Sequence, residues 1–308
     1  MRAIIQEKYG TPTVLKVGEM NRPKPKDDEV LIELEYANVS SGDARVRALN
    51  ESLVIKFMMK LIFGWSGLRK KIPGASGSGI IKEIGSNVTK FQVGDRVYSI
   101  NGMKLGHYAE YITIKEKGAI AKIPDNITFK EAAPLSFGAL TAYHFINKKT
   151  IMKNQNVLIY GASGSVGTYA VQLAKYYGAF VTAVSSKKNH QILKEIGADD
   201  TIDYKTIDFR TLDKQYDVIF DAVGFINKKS CRKVLVGKGL FLSVKSMTSE
   251  KQTLLKEINE IVKTGNLKTI IDKEFPFSEI VQAHEYIDTG HKVGNVVLSI
   301  KQGHHHKN

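Results

Sequence analysis

The chain has 308 residues, 43% of them hydrophobic and 25% charged, which is enough to bury a large core and points to about two domains. A single cysteine excludes a disulfide framework and any multi-cysteine zinc lobe, and no apolar run of about 18 residues is present to span a membrane. The net charge of +14 would suit a polyanion, but the lysines are spread along the chain, so a solvated basic surface is expected, with a nucleic-acid or anionic-membrane role as the alternative.

The opening MRAIIQEKYG has no apolar h-region, so no signal peptide is expected and the setting is read as cytoplasmic. The first 122 residues read as mostly β. Glu29–Tyr36 alternates, with Val30, Ile32, Leu34 and Tyr36 on one face. Gly79–Ile84, Asp95–Ile100 and Tyr108–Ile114 are further short apolar runs set off by glycines, a pattern of small barrels or sandwiches. Between them Ser52–Lys71, SLVIKFMMKLIFGWSGLRKK, carries Leu53, Phe57, Met58, Leu61, Ile62 and Trp65 with flanking lysines. It is read as a cap that favours bulky apolar ligands, with Phe57 and Trp65 as substrate residues. A core-packed helix and a membrane-surface helix are the alternatives. Thr128 followed by Glu131 marks a helix start.

From Asn156 the texture changes. Val157–Tyr160 reads as a buried strand that breaks into a glycine turn and then a helical pattern at Val166, Tyr169, Ala170, Leu173, Ala174 and Tyr177. Strand, glycine turn and helix are the context of a dinucleotide fingerprint: Gly164 would let the backbone approach a pyrophosphate, and Gly167 would let the helix pack on the strand. The helix N-terminus adds free N–H groups and the positive end of its dipole. Strands are expected at Phe180–Val184, Asp200–Asp203, Val218–Asp221 and Gly239–Val244, with helices at Asn189–Ile196 and Ser249–Thr264, a βαβ series. Short strands return at Ile270–Asp272 and Asn295–Ile300, so the C-terminal part is expected to complete the N-terminal barrel. The domains are then 1–123 with 267–308, and 124–266. The closing GHHHKN is read as a disordered tail whose three histidines either hold a metal or are a tag remnant.

About 20 residues past the fingerprint, an acidic side chain would bond an adenosine ribose and favour NAD. None occurs between Gly167 and Glu195; the strand ends in Ser185, Ser186, Lys187, Lys188 and Asn189 instead. Hydroxyls and lysines there suit the 2′-phosphate of NADP through charge-assisted hydrogen bonds, against the alternative of a solvated loop.

At this point the chain resembles the zinc-independent quinone oxidoreductase (zeta-crystallin-like) branch of the medium-chain dehydrogenase/reductase superfamily. The resemblance runs almost the full length, through PGASGSGIIKEIGSNVTKFQVGDRVY, GHYAEYI, EAAPLSFGALTAYHF, the fingerprint, EIGADDTIDY, YDVIFDAVG and GHKVGNVVL. It implies an α/β fold: a Rossmann doubly wound parallel sheet plus a GroES-like β-barrel. It implies NADP(H) held by Gly164, Ser165, Val166 and Gly167 under the pyrophosphate, and by Ser185, Ser186, Lys187, Asn189 and Tyr204 around the adenosine phosphate. Thr141, Val223, Leu242 and Asn295 would complete the cofactor set. Ala162 stands at the first fingerprint glycine, Asn189 at a basic position of the phosphate site, and Asn295 where GKVVL has lysine.

In the zinc-dependent alcohol dehydrogenases of the superfamily the metal is held by two cysteines and a histidine; the matching positions here are Ser40, Ala75 and Phe137, so no metal is expected. The implied activity is NADPH-dependent hydride transfer to quinones or activated alkenes and carbonyls, with a hydrophobic small molecule as acceptor and a homodimer as the assembly. The alternatives are an NADPH-binding protein that acts on RNA or an anionic membrane, and a zinc alcohol dehydrogenase, which is disfavoured. Without zinc, a developing oxyanion needs donors, and Ser40 is the catalytic candidate, with a helix-cap serine as its alternative. Asp43 and Arg47 are read as a structural ion pair, and His107 and His144 as local surface or packing residues.

Overall fold

A computed structural model describes residues 1–301 apart from 148 and 247. The tail with its three histidines lies outside the described residues. By contacts the chain divides into two units: Met1–Phe137 with Glu250–Lys256 and from Ile271 onward, and Gly138–Ser249 with Glu257–Ile270.

The elements in chain order are β1 Arg2–Gln6, β2 Leu15–Glu19, β3 Glu29–Val39, α1 Ser41–Ala48, α2 Leu53–Phe63, β4 Ser76–Ile84, β5 Arg96–Ile100, β6 Tyr111–Lys115, β7 Ala119–Lys122, α3 Phe129–Ala132, α4 Leu140–Phe145, β8 Asn156–Tyr160, α5 Ser165–Tyr176, β9 Phe180–Ser185, α6 His190–Glu195, β10 Asp200–Asp203, β11 Tyr216–Asp221, β12 Leu235–Ser243, α7 Gln252–Lys263, β13 Ile271–Pro276, α8 Ile280–Asp288 and β14 Asn295–Ser299.

The first unit is organised by β3. One edge of that long strand pairs antiparallel with β4; the other pairs with β6 over Glu29–Glu33 and with β14 over Tyr36–Val39. The sheet continues β13-β14-β3-β4-β5-β7, so a C-terminal pair lies beside an N-terminal strand. Inward residues Val30, Ile32 and Leu34 meet Ile81, Val97, Ile112, Ile120 and Val296 in one core. Of the alternation read in Glu29–Tyr36, Val30, Ile32 and Leu34 form this face; Tyr36 does not, because the pairing with β4 slips between Leu34 and Tyr36 and Ala37 enters the core instead. The helix start at Thr128 is a capping box with Glu131. Residues 124–137 belong to this unit by contact; Ser78 Oγ donates to the Phe129 carbonyl at 2.6 Å and Ser136 Oγ to that of Ser99 at 2.9 Å.

The second unit is a parallel sheet in the order β10-β9-β8-β11-β12. The strand order reverses beside β8, the topology of a doubly wound nucleotide fold. Leu158, Val184, Ile202, Tyr216 and Ile219 form its core with the buried Cys231. Helix α5 buries Tyr169, Ala170, Leu173 and Ala174, the stripe read from the sequence.

The expected Asp43–Arg47 pair does not form. The buried Arg47 donates instead to Asp288 Oδ2 at 2.7 Å, to the Gly10 carbonyl at 3.1 Å and toward His284 Nδ1 at 3.1 Å. The reason is geometric: Asp43 faces the start of its own helix, whereas Arg47 reaches α8, an element the sequence reading missed. Arginine only donates, so His284 Nδ1 accepts and its proton sits on the buried Nε2. His107 is fully buried, 3.0 Å from Ser99 Oγ. It packs inside and is not at the surface.

Burial pushes both imidazoles down to about 3, with the Arg47 charge adding to the effect on His284. Their folded values lie below the ordinary 6.5, so unfolding takes up protons and the stability present above that pH is lost as pH falls toward 3. Between pH 7 and pH 5 we expect denaturant titrations to show a loss of about 2 kcal/mol per histidine. His284→Gln should remove about half of that pH dependence, and the His107→Gln, His284→Gln pair most of it.

Candidate active site and its relatives

The C-terminal ends of the parallel strands lie in line: Asp203 opposite Ser185, Tyr160 opposite Val184 and Asp221, and Asp221 opposite Ser243. This edge gathers most of the residues singled out as cofactor ligands. After β8 the chain turns through Gly161 at φ +74°, a left-handed conformation that glycine adopts freely. The N–H groups of Gly161 and Ala162 both donate to the Val184 carbonyl at 3.1 Å, fastening the turn to β9. Gly161 was not singled out in the sequence; the signal was its place directly after an apolar strand.

Gly164 is the N-cap of α5 and has no side-chain cap. A Cβ there would find only the Gly161 carbonyl oxygen, at 3.5 Å, so the turn leaves open space in front of the helix N-terminus. Gly167 is different: its Cβ would overlap the Gly161 carbonyl oxygen and stand 2.7 Å from Ala162 Cα. The first glycine keeps a cradle clear and the second allows close packing, and an anionic diphosphate fits that cradle on both shape and charge. Ser165 begins the helix, buried, and Val166 is half-buried.

Beyond β9, Asn189 is buried and serves as an internal brace. Its Nδ2 donates to Ser163 Oγ at 2.9 Å and toward Ser186 Oγ at 3.3 Å, linking the glycine turn to the loop after β9. Ser185 Oγ donates to the Ser186 carbonyl at 3.1 Å. Lys187 and Lys188 are exposed and make no ion pair among the described residues. Tyr204, half exposed, is tied by its N–H to the Ser185 carbonyl at 3.2 Å. It lines a cavity of about 390 Å³ with Tyr160, Asp208, Arg210 and Phe225.

Asp221 organises the next loop. Its carboxylate accepts from the N–H groups of Val223 at 3.2 Å, Gly224 at 2.9 Å and Ile226 at 3.1 Å, and from Ser243 Oγ at 3.3 Å. This fixes the exposed Val223 beside Gly161: a Cβ on Gly161 would come within 2.5 Å of Val223 Cγ1. Leu242 precedes Ser243 on β12. Thr141 lies on α4, whose approach to α5 is so close that a Cβ on the preceding Gly138 would meet Ser165 Oγ at 2.5 Å. Asn295 is buried at the start of β14 in the first unit, so the second unit does not bring it to this edge.

In the first unit, Ser40, Ala75 and Phe137 meet at the first turn of α1. Ser40 Oγ and Phe137 Cζ each lie 3.3 Å from where a Cβ on Gly42 would stand, and the Ala75 N–H donates to Asp43 Oδ1 at 3.0 Å. Ser40 is the N-cap. Its Oγ donates to Asp43 Oδ2 at 2.5 Å and accepts from the Asp43 N–H at 3.1 Å, while its own N–H donates to Asp43 Oδ2 at 2.9 Å. The hydroxyl proton is therefore committed to a carboxylate, and the structure reads Ser40 as a cap and not as a free oxyanion donor. Burial raises the Asp43 carboxyl above its ordinary value, opposed by the donors from Ser40, Ala75 and Tyr108. Phe57 and Trp65 are both exposed and stack edge to face with centroids 6.0 Å apart.

A dinucleotide-type parallel sheet joined to a β domain built on one long shared strand is the architecture of a two-domain oxidoreductase. The family described as "Alcohol dehydrogenase GroES-like domain" matches residues 26–125, and that described as "Zinc-binding dehydrogenase" matches residues 241–298. The chain is 31% identical to a 2-methylene-furan-3-one reductase of Solanum lycopersicum over 97% of its own length and 79% of that protein's. It is also 31% identical, with the same coverage, to a chloroplastic NADPH-dependent alkenal/one oxidoreductase of Arabidopsis thaliana. The structure of a quinone oxidoreductase from Coxiella burnetii superposes with a TM-score of 0.83 at 26% identity, covering 98% of this chain and 99% of that one. The chain belongs to the medium-chain dehydrogenase/reductase superfamily, in its quinone oxidoreductase-like branch, and is an oxidoreductase.

Three variants test these assignments. Gly164→Val should leave thermal stability nearly unchanged yet weaken NADPH binding about tenfold or more in a fluorescence titration, whereas Gly167→Val should cost several kcal/mol of stability as well. Ser40→Ala should cost about 1–2 kcal/mol in denaturant unfolding and change kcat less than about threefold; loss of a true oxyanion donor would cost about 100-fold.

Proposed function

We propose that the protein is an NADPH-dependent, zinc-independent reductase of hydrophobic quinones, alkenals or activated ketones. The observation that carries this reading is the edge of the parallel sheet, where an open glycine cradle is braced by Asn189 to a loop of serines and two exposed lysines. Bound NADPH supplies the hydride. The protein's part is to hold the two reactants and to stabilise the charge that develops.

In this reading the N–H groups of α5 and the space in front of Gly164 receive the pyrophosphate, with Ser165, Val166 and Gly167 beneath it. Lys187 and Lys188, with Ser185 and Ser186, bind the adenosine 2′-phosphate, and Tyr204 borders it. Asn189 acts by bracing this loop, which is why a neutral side chain serves where a basic one would be expected. Thr141, Val223, Leu242 and Asn295 are assigned to the rest of the cofactor, and Phe57 and Trp65 to the apolar acceptor. The names of the tomato and Arabidopsis relatives support an activated-alkene acceptor. The proton that completes the reduction is assigned to water, since the Asp43 carboxyl in the Ser40 turn is buried and already engaged by Ser40 and Ala75.

Zinc independence rests on the chemistry of the positions that would ligate. They present a hydroxyl bonded to Asp43, a methyl group and a phenyl ring, none of which is a zinc ligand here. Among the described residues no three His, Cys, Asp or Glu side chains gather into a metal-binding group. We further assign a cytoplasmic setting, and a homodimer formed along β12, the edge strand of the parallel sheet.

The test is steady-state oxidation of NADPH with 9,10-phenanthrenequinone and with 2-alkenals, with and without a chelator. Turnover that a chelator leaves unchanged is expected; tight NADPH binding with no turnover across such acceptors would overturn the reading. The Lys187→Ala, Lys188→Ala pair should raise the Kd for NADPH about tenfold or more and leave that for NADH within about twofold.

A further inference from the structure

The structure points to a docking surface for an anionic phospholipid bilayer, and we propose that α2 is its anchor. No residue of α2, Leu53–Phe63, is buried, although nine of its eleven residues are Leu, Val, Ile, Phe or Met, and the alternative of a core-packed helix is thereby overturned. Leu53 is 86% exposed, Val54 72%, Phe57 54% and Trp65 62%. Met103 extends the apolar surface across a cavity of about 200 Å³ lined by Ile62, Phe63, Leu68 and Lys70. The base of the helix is firmly held: Tyr9 Oη donates to the Gly64 carbonyl at 2.7 Å, the Arg69 N–H to that of Phe63 at 2.7 Å, and a Cβ on Gly67 would overlap the Glu7 carbonyl oxygen. A rigid stem therefore presents an uncovered apolar helix.

The charges select the occupant. From Ser52 to Lys82 the sequence has no Asp or Glu, while Lys56, Lys60, Arg69, Lys70 and Lys71 crowd the same stretch. Lys71 pairs with Glu7; Lys56, Lys60, Arg69 and Lys70 make no ion pair among the described residues. A second copy of this helix would bring the same positive set face to face. An anionic lipid surface neutralises it and covers the apolar residues at once. Trp65, stacked on Phe57 and 5.1 Å from Lys60 Nζ, joins ring and charge as side chains at a membrane interface do. The helix is about 16 Å long, so it lies in the interface and does not cross a hydrocarbon layer of about 30 Å. The bilayer is also where lipid-soluble acceptors dissolve, yet the docking does not depend on the reductase reading.

The chain has one tryptophan, so the surface carries its own probe. Vesicles of phosphatidylcholine with one part in three phosphatidylserine should sediment the protein at low salt and shift Trp65 emission to the blue; vesicles of phosphatidylcholine alone should do neither. Val54→Glu with Met58→Glu should lower partitioning about tenfold or more, and each of Lys56→Gln and Lys60→Gln about fivefold, with NADPH binding in solution unchanged. The proposal is overturned if anionic vesicles leave the emission unshifted. It is equally overturned if the glutamate pair binds as well as the parent, or if the parent is a dimer in solution that the glutamate pair dissolves. None of these readouts requires catalysis, so failure of docking and failure of the reductase assignment are separable.

Discussion

The carbonyl of Val184 accepts two backbone N–H groups, those of Gly161 and Ala162, and the nucleotide edge depends on that one junction. It joins the end of β9 to the turn that leaves β8, and so sets where α5 begins. With the turn so placed, Gly161 must take a positive φ, Gly167 must lie against its carbonyl, and Gly164 is left facing open space. The brace from Asn189 to Ser163 then ties the neighbouring loop to the same turn. The cradle in front of α5 is thus built mainly from backbone, and two exposed lysines stand on the neighbouring loop.

Two buried carboxylates in different units do related work. Asp43 lies in the first turn of α1 and Asp221 at the end of β11, and each gathers donors from several residues: Ser40 and Ala75 for the first, Val223, Gly224, Ile226 and Ser243 for the second. Burying a charge is costly unless it is well satisfied, and satisfied in this way it specifies one loop conformation. Neither acts as a proton donor in the chemistry proposed here. They hold the backbone of the turns around them.

Much of this was legible in the sequence, because its signals were local. The alternation of Val30, Ile32 and Leu34, the capping pair Thr128 and Glu131, and the strand–turn–helix at 156–176 depend on neighbours a few residues away, and each formed; the alternation stops at the irregularity before Tyr36. The strands β1 and β2, the short β7 and the helix α8 were not read: β1 and β2 are short and pair only with each other in a two-stranded sheet, and α8 is fastened to distant parts of the chain. Arg47 shows why: its acceptors Asp288 and His284 lie at the other end of the chain. Asn189 shows the same limit within the site. Its residue type suggested a missing charge, and only its position behind Ser163 and Ser186 reveals a brace. For Ser40, the pattern of a serine three residues before an aspartate fitted a cap as well as a donor, and the short bond to Asp43 chose between them.

The pairing of β14 with β3 sets a schedule for synthesis. Val39 leaves the ribosome early, while its partner Val296 is added near the end. At ordinary elongation rates the edge of β3 waits roughly 10–50 s for that neighbour, and Arg47 waits as long for Asp288. The parallel sheet has all its strands well before then. A nascent or prematurely terminated chain therefore carries a finished nucleotide fold beside an unpaired strand edge, the state in which chaperones are most needed and in which such a product would aggregate.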